Sequence, residues 1–568
     1  MTIVKAAQAA LESAFSQHAI DVDPVLVRST RPEFGDLQCN SIMAAAKRAG
    51  VNPRDLASSV ADAINPALFA DVSVAGPGFI NLSLKDSTIA SLATAQLLDP
   101  ALLAERSGGE RTVLDFGGPN VAKALHVGHL RSFVIGESLR RILIETGADV
   151  VSDIHLGDWG LQMGKLLVGV ALEHGWKGDG DVLEAISAAD VSTATVDDLG
   201  RFYKLGNAAC DDEDVLSTAR TLTALLQDGH PVLRAAWKSM RSTSVDDVVR
   251  TAAALGARFD LLLGESDAHE EIGPMLEDLI ARSVVVESEG ALVVPVAGDG
   301  LPEKAPPVIL RKSDGAALYA TTDLATLRQR VRDLKAQRIV YCTDDRQALQ
   351  MAGVFSAARQ AGYDDGADLV HVPFGTVRGR DGKPFKTRDG VAATLGDLLA
   401  AATEKASSSL ADPTAAQVVA IGALKFADLG TPRRTGYVFD VDKMISFEGR
   451  TGPYLQYAYA RIASMLDKAA ASGTFPAAEV SISCREERDL LVECLWYPEA
   501  LASAARSYEP SEIAERAWLI ADAFSRFYAA CPVLQSEDPP ARLATCSLVA
   551  KVIEKCLWLL GIGVVRRM

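Results

Sequence analysis

Apolar residues recur at helical spacing in "VKAAQAALESAF" (4–15) and again through "CNSIMAAAKRAGVNPRDLASSVADAI" (39–64), which closes on Asn65-Pro66. Short apolar segments follow in "VSVAGPGFINLSL" (72–84), with turn chemistry at Gly76-Pro77-Gly78. This opening stretch predicts an α+β module, 1–108, whose most polar loop is "RSTRPEFGDLQCN" (28–40). A different rhythm begins at Arg111. "RTVLDF" is a largely apolar strand, "GGPN" breaks it, and "HVGHLRSFVIGESLRRILIETG" carries apolar positions at helical spacing up to Gly147. "DVVSDIHLGDWG" then predicts a second strand and its exit loop. Strand, turn, helix and strand at this spacing imply a doubly wound parallel sheet.

A mostly helical stretch, about 176–300, interrupts that pattern. It resumes in "PPVILRKSDG" (306–315), the helix "TDLATLRQRVRDL" (322–334) and the strand "RIVYCT" (338–343). The fold class predicted is therefore α/β: a split Rossmann-type nucleotide-binding domain, 109–390, with a helical insertion. A helical connection, 391–446, and an all-helical bundle, 447–568, complete the chain, which shows no internal repeat.

Composition changes little of this. At 568 residues the chain is too long for one hydrophobic core and suggests about three to five units. No apolar run reaches the roughly 18 residues that cross a bilayer, and the N-terminus lacks the basic and apolar regions of a secretory signal. Eight cysteines without a CxxC pair argue against a disulfide framework and against a thiolate zinc site. A cytoplasmic location is expected, without membrane, DNA or protein-bound zinc. Charge matters through its distribution. Residues 176–300 carry a net −13, leaving only −4 of the chain's −17 for the rest, so a neutral or basic face elsewhere is compatible with a nucleic-acid partner.

The chemistry concentrates after the first strand of the sheet. His126 and His129 lie three apart on the opening turn of a helix, whose end presents unpaired N–H groups and a positive dipole to phosphate. Two imidazoles on that turn can donate to phosphoryl oxygens as charge builds in a transition state. Gly128 between them lets a flat ring approach the backbone. The alternative is a pair of capping or packing histidines. Tyr319 and Asp323, four apart, share a helix face, and a carboxylate beside a phenol suits a guanidinium; the alternative is a surface aspartate beside a core tyrosine. "KPFKT" (383–387), flanked by Gly382 and Gly390, suits a loop that closes over a triphosphate, or is simply a basic surface turn. Tyr454, Tyr457 and Tyr459 interleave with Arg461; aromatics beside a cation stack on unpaired bases, although tyrosines at this spacing are also ordinary core.

These segments together resemble one family. "HVGH" is similar to the HIGH signature of class I aminoacyl-tRNA synthetases, and "GGPNVAKALHVGHLRS" resembles the arginyl enzymes. "LGDWGLQMG" (156–164), "LYATTDLA" (318–325), "DDRQALQ" (344–350), "GKPFKTRDG" (382–390), "FEGRTGPYLQYAYARI" (447–462) and the terminal "VVRRM" follow in that family's order, and "EFGDLQCN" extends the likeness towards the N-terminus.

The resemblance implies arginine–tRNA ligation, with L-arginine, ATP and tRNA(Arg) as substrates, Mg²⁺ accompanying ATP, and a monomer. It places Tyr319, Asp323 and Gln347 around the arginine side chain, Asn120 at its α-amino and carboxylate groups, with Asp115 and His129 nearby. It assigns His126, His129 and Gly128 to ATP, with Lys383 and Lys386 as the KMSKS-like lysines and Lys123 supplying part of their charge. Thr387-Arg388 stand where the general pattern has serine, and Gln350 stands where a histidine is expected. It makes 447–568 an anticodon-binding domain and Phe34 and Gln38 tRNA contacts. The rivals are another class I synthetase, or an HxGH nucleotidyltransferase acting on a small molecule.

Overall fold

The computed structural model describes residues 2–29, 31, 34–106, 108–298, 300–313, 318–378 and 394–568. The chain divides into two compact units, 107–408 with 427–444, and 1–106 with 409–426 and 445–568. The stretch 391–446 is thus shared between them: 409–426 belongs with the termini, while 427–444 returns to the central unit and pairs Tyr437–Val438 with Val377–Arg378.

The central unit is built on a parallel sheet. Its strands are β1 (Arg111–Phe116), β2 (Asp149–Asp153), β3 (Arg338–Asp344) and β4 (Asp368–Phe374), in the order β4-β3-β1-β2. Helix α1 (Val127–Glu145) crosses from β1 to β2; α2 (Tyr319–Arg332) leads into β3, and α3 (Ala348–Ala361) crosses to β4. The strands are short apolar runs because helices cover the sheet. Val113, Ile339 and Tyr341 pack with Leu324, Leu327, Val354 and Phe355 in one buried cluster. The insertion between β2 and α2 is mostly helical, as its pattern predicts, and ends in two strands, Val286–Ser288 and Ala291–Val294, joined to Val308–Arg311. It owns a separate core in which Trp159, Met163, Leu166, Phe202 and Trp237 meet.

The parallel register sets Asp115 of β1 opposite Asp153 of β2, two carboxylates side by side at the ends of buried strands. Arg330, near the end of α2 and 1% exposed, resolves the conflict: its guanidinium lies 2.7 Å from each carboxylate. Tyr341, opposite Asp115 on β3, places its ring 5.3 Å beneath the same guanidinium. A second buried arginine, Arg131 of α1, pairs with Asp428 and donates to the carbonyls of Gly375 and Thr435, which ties 427–444 to the sheet.

In the other unit, the antiparallel strands Leu26–Arg28, Leu37–Cys39, Phe79–Leu84 and Phe69–Ala75 form one sheet in that spatial order. The helical pattern of 39–64 is two helices, Ile42–Ala49 and Pro53–Ala63. Gly50 takes a left-handed C-cap (φ +67°), and Asn52 caps the next helix with Pro53 in its first turn. Five helices make the bundle: Gly452–Ala471, Arg485–Leu495, Tyr497–Ser507, Ser511–Ala530 and Pro539–Leu559. The terminal modules pack together through Arg488, which reaches Asp36 at 2.7 Å and Asp86 at 2.9 Å, and through Gln96, which donates to the Cys494 carbonyl. No helix among the described residues is long and apolar enough to cross a membrane.

Removing Arg330 strands two buried carboxylates. Arg330→Met is expected to lower stability by about 3–5 kcal/mol, read from the shift in the urea unfolding midpoint of the purified chain.

Candidate active site

A cleft of about 820 Å³ opens over the carboxyl ends of β1, β3 and β4, where doubly wound sheets bind ligands. Asp115, Asn120, His126, Gly128, His129, Tyr319, Asp323 and Gln347 all line it. Eight residues scattered over more than two hundred positions of sequence therefore share one wall system.

The two histidines do more than flank a helix start. His126 is the N-cap of α1 and its Nδ1 accepts from the Gly128 N–H at 3.0 Å, while His129 Nδ1 accepts from the His126 N–H at 3.1 Å. The rings lie 4.1 Å apart. The two rings cap the helix and also line the cleft. Because each Nδ1 is an acceptor, the neutral rings carry their proton on Nε2, which leaves two fixed donors. Burial, followed by the charge of Lys123, lowers the His126 pKa. Burial, with His126 alongside, takes His129 down to about 4, so it is neutral at pH 7. The flat ring that Gly128 admits is that of His126 itself: a Cβ there would stand 2.6 Å from the ring's Cε1.

Lys123 is exposed, outside the cleft lining, with its ammonium 4.6 Å from the Tyr203 ring centre. Lys383 and Lys386 lie outside the described residues. The positions flanking them do reach the site: Arg378 lines the cleft, and Thr394 pairs with His126.

The opposite wall is acidic. Asp323, partly buried one turn along α2 from Tyr319, accepts from Gln350 Nε2 at 2.7 Å, so the residue standing in place of the expected histidine is a direct partner of the carboxylate. The Tyr319 hydroxyl donates to Gln162 at 2.9 Å. Glu265 completes this wall, 9% exposed, and accepts from the Trp159 N–H. Burial, then the charges of Asp158 and Asp323, push its pKa up to about 8. Asp323 is raised too, chiefly by burial. Asp115 lines the cleft as well, and its carboxylate pairs with Arg330 of α2. Asn120 is pinned by the pairing of its backbone with Gly157. His155 holds a left-handed backbone (φ +41°) and brings two buried ring nitrogens to the cleft without a hydrogen-bond partner among the described residues.

Glu265 was not legible beforehand, because one glutamate within an acidic insertion carries no distinguishing pattern. Gln162 sits inside "LGDWGLQMG", whose motif pointed there without assigning it a partner.

In the helical bundle, Arg461 lies between the rings of Tyr457 and Tyr528, 4.8 and 4.9 Å from their centres, and both tyrosines are exposed. Tyr459 is 6% exposed, on the inner face of its helix. A ring buried in the bundle has no face to offer a base, so it drops from the RNA-stacking set. In the N-terminal module, Gln38 donates to Asn81 and Phe34 lies 5.8 Å from the Arg31 guanidinium.

The sheet, the histidine-capped helix and the cleft all fall within a class I aminoacyl-tRNA synthetase catalytic domain. Residues 93–441 match the family described as tRNA synthetases class I (R), catalytic domain; 455–568 match the DALR anticodon binding domain and 1–84 the arginyl tRNA synthetase N terminal domain. Arginine–tRNA ligases of Maricaulis maris and Frankia casuarinae are each 42% identical, over 95% and 97% of this chain and 94% and 95% of their own. The arginyl-tRNA synthetase structure of Thermus thermophilus aligns over 100% of both chains at TM-score 0.80 and 25% identity. That of Plasmodium falciparum, at 22% identity, shares the fold at TM-score 0.83 over 100% of this chain and 99% of its own. The chain belongs to the arginyl-tRNA synthetase family.

A carboxyl group whose folded pKa of about 8 exceeds its ordinary 4.5 holds a proton that the unfolded chain releases, so stability falls as pH rises between those values. Glu265→Gln is expected to remove that fall. Urea midpoints at about pH 6 and about pH 9 should converge for the variant and stay apart for the parent chain.

Proposed function

We propose that this cleft activates L-arginine with ATP and that the same chain passes the arginyl group to tRNA(Arg). The observation that carries this reading is the acidic wall: Tyr319 and Asp323 on one helix face, with Glu265 beside them in a cleft shared with two neutral, backbone-fixed imidazoles. A guanidinium supplies counter-charge to Asp323 and Glu265, and its planar fork of donors suits two carboxylates and a phenol. Gln347 closes the side-chain pocket, and Asn120 takes the α-amino and carboxylate end.

ATP lies with its phosphates on the α1 terminus, against Gly128, His126 and His129, and enters as its Mg²⁺ complex. Lys383, Lys386 and Lys123 add positive charge at the phosphates. The arginine carboxylate attacks the α-phosphorus in line; the bond to the β-phosphate oxygen breaks, and pyrophosphate leaves. A ribose hydroxyl at the tRNA 3′ end then attacks the arginyl carbonyl and AMP departs. The protein contributes positioning and charge stabilisation. Nε2 donors that need no reorganisation stabilise the phosphoryl oxygens as negative charge grows.

The bundle, 447–568, takes the anticodon, with Tyr457, Tyr528 and Arg461 as its stacking surface. The N-terminal module, 1–108, contacts tRNA through Phe34 and Gln38. The chain works in the cytoplasm as a monomer.

Charging of total tRNA, with each amino acid offered in turn, tests the whole reading: arginine alone should be esterified. Asp323→Asn leaves a desolvated guanidinium short of a partner, which costs about 3–5 kcal/mol. It should raise KM for arginine about a hundredfold or more and leave KM for ATP near its original value; an unchanged arginine KM would remove Asp323 from the pocket. His126→Ala and His129→Ala should each lower kcat for ATP–pyrophosphate exchange by about 10²–10³ with the melting transition retained. Parental exchange rates in both would make the histidines caps alone.

A further inference from the structure

Cys484 and Cys531 are 47 positions apart, yet their sulfurs lie 2.8 Å from each other in the helical bundle. Cys484 is the N-cap of the helix Arg485–Leu495 and is half-buried; Cys531 is the C-cap of the helix Ser511–Ala530 and is 5% exposed. The neighbouring chain holds both termini in place without help from the sulfurs. Arg542 donates to the Ser483 hydroxyl at 3.2 Å and to the Pro532 carbonyl at 2.5 Å, so one guanidinium bridges the residues adjoining the two cysteines. Glu487 accepts from the N–H and hydroxyl of Ser483, and its other oxygen takes the Thr545 hydroxyl.

We propose that Cys484 and Cys531 form a reversible disulfide by exchange with a low-molecular-weight disulfide, a covalent modification site remote in sequence from every residue of the catalytic cleft. The half-buried Cys484 is the sulfur that an incoming reagent reaches. Its thiolate attacks one sulfur of the reagent, forming a mixed disulfide and releasing one thiol. Cys531 then loses its proton to solvent, its sulfur attacks that of Cys484, and the second thiol departs. Two protein thiols are oxidised and one disulfide is reduced to two thiols, so atoms and electrons balance.

Burial, with Cys484 alongside, holds the Cys531 thiol up at about 12, which makes it the second nucleophile and not the first. Glu486 has a carboxylate oxygen within 4.8 Å of both sulfurs, which raises the alternative of a metal site. Three protein donors beside the Arg542 guanidinium make a poor cage for a dication, whereas a disulfide is neutral and places no charge beside that cation. The remaining cysteines include Cys494, Cys546 and Cys556, all buried within helices, which sets this pair apart.

The test exposes the full-length native protein to oxidised glutathione, blocks remaining thiols with an alkylating agent under denaturing conditions, and maps the peptides. The expected result is two of the eight thiols protected from alkylation and one peptide pair linked through Cys484 and Cys531. Dithiothreitol should release the pair, and Cys484→Ser and Cys531→Ser should each abolish it with the circular dichroism spectrum unchanged. Eight alkylated thiols, a glutathione adduct that stays on Cys484, or a link between other cysteines would each overturn the proposal. So would protection that requires added zinc and disappears with a chelator, since that outcome makes the pair a metal site.

Discussion

Arg330 is the residue through which the sheet and the cleft become one object. Parallel pairing of β1 with β2 forces Asp115 and Asp153 to neighbouring positions in a buried layer, where two unpaired carboxylates would be costly. The arginine that bridges them lies on α2, the same helix that carries Tyr319 and Asp323. An ion pair formed to satisfy strand register thereby fixes the position of the acidic wall. Tyr341 beneath the guanidinium and Arg131 against Asp428 extend the same principle: charged groups, once buried, orient the elements that line the cleft.

The histidine-capped helix applies that economy at smaller scale. An N-terminus leaves backbone donors unpaired, and here two of them are taken by imidazole nitrogens. The bonds that cap the helix also select the tautomer, so the nitrogens left over are donors held at fixed positions. Partial burial keeps them neutral. A cationic imidazole could not accept these backbone bonds, and the cap would be lost on protonation.

Much of this was legible in the sequence because the signals were local. The alternation of strand, glycine-rich break and amphipathic helix marks β1, α1 and β2, and the i, i+4 spacing places Tyr319 and Asp323 on one face. What stayed hidden depends on partners distant in sequence. The pairing of Asp115 with Arg330, more than two hundred positions away, has no local signal in the sequence. Glu265 gains its raised pKa from burial and from Asp158 and Asp323, none of which its own neighbours announce. Tyr457 and Tyr459 are equivalent in composition, and only the packing of the bundle separates the exposed ring from the buried one. Gly50 and Asn52-Pro53 broke a run whose apolar period alone continued through them.

The acidic wall carries a cost of its own, because its carboxyl groups are buried. Burial pushes both Asp323 and Glu265 towards protonation, and the charges of Asp158 and Asp323 add to that push at Glu265. Under the proposed function, a guanidinium bound at this wall replaces protons with a delocalised cation and favours the charged state of both acids. Neutral side chains offer no such compensation, so they leave the carboxyl groups as they found them. A lysine ammonium offers charge but only a compact set of donors, against the planar fork that two carboxylates and the Tyr319 hydroxyl require. Under the proposed function, a guanidinium is the side chain whose charge and donor geometry answer both features of this wall.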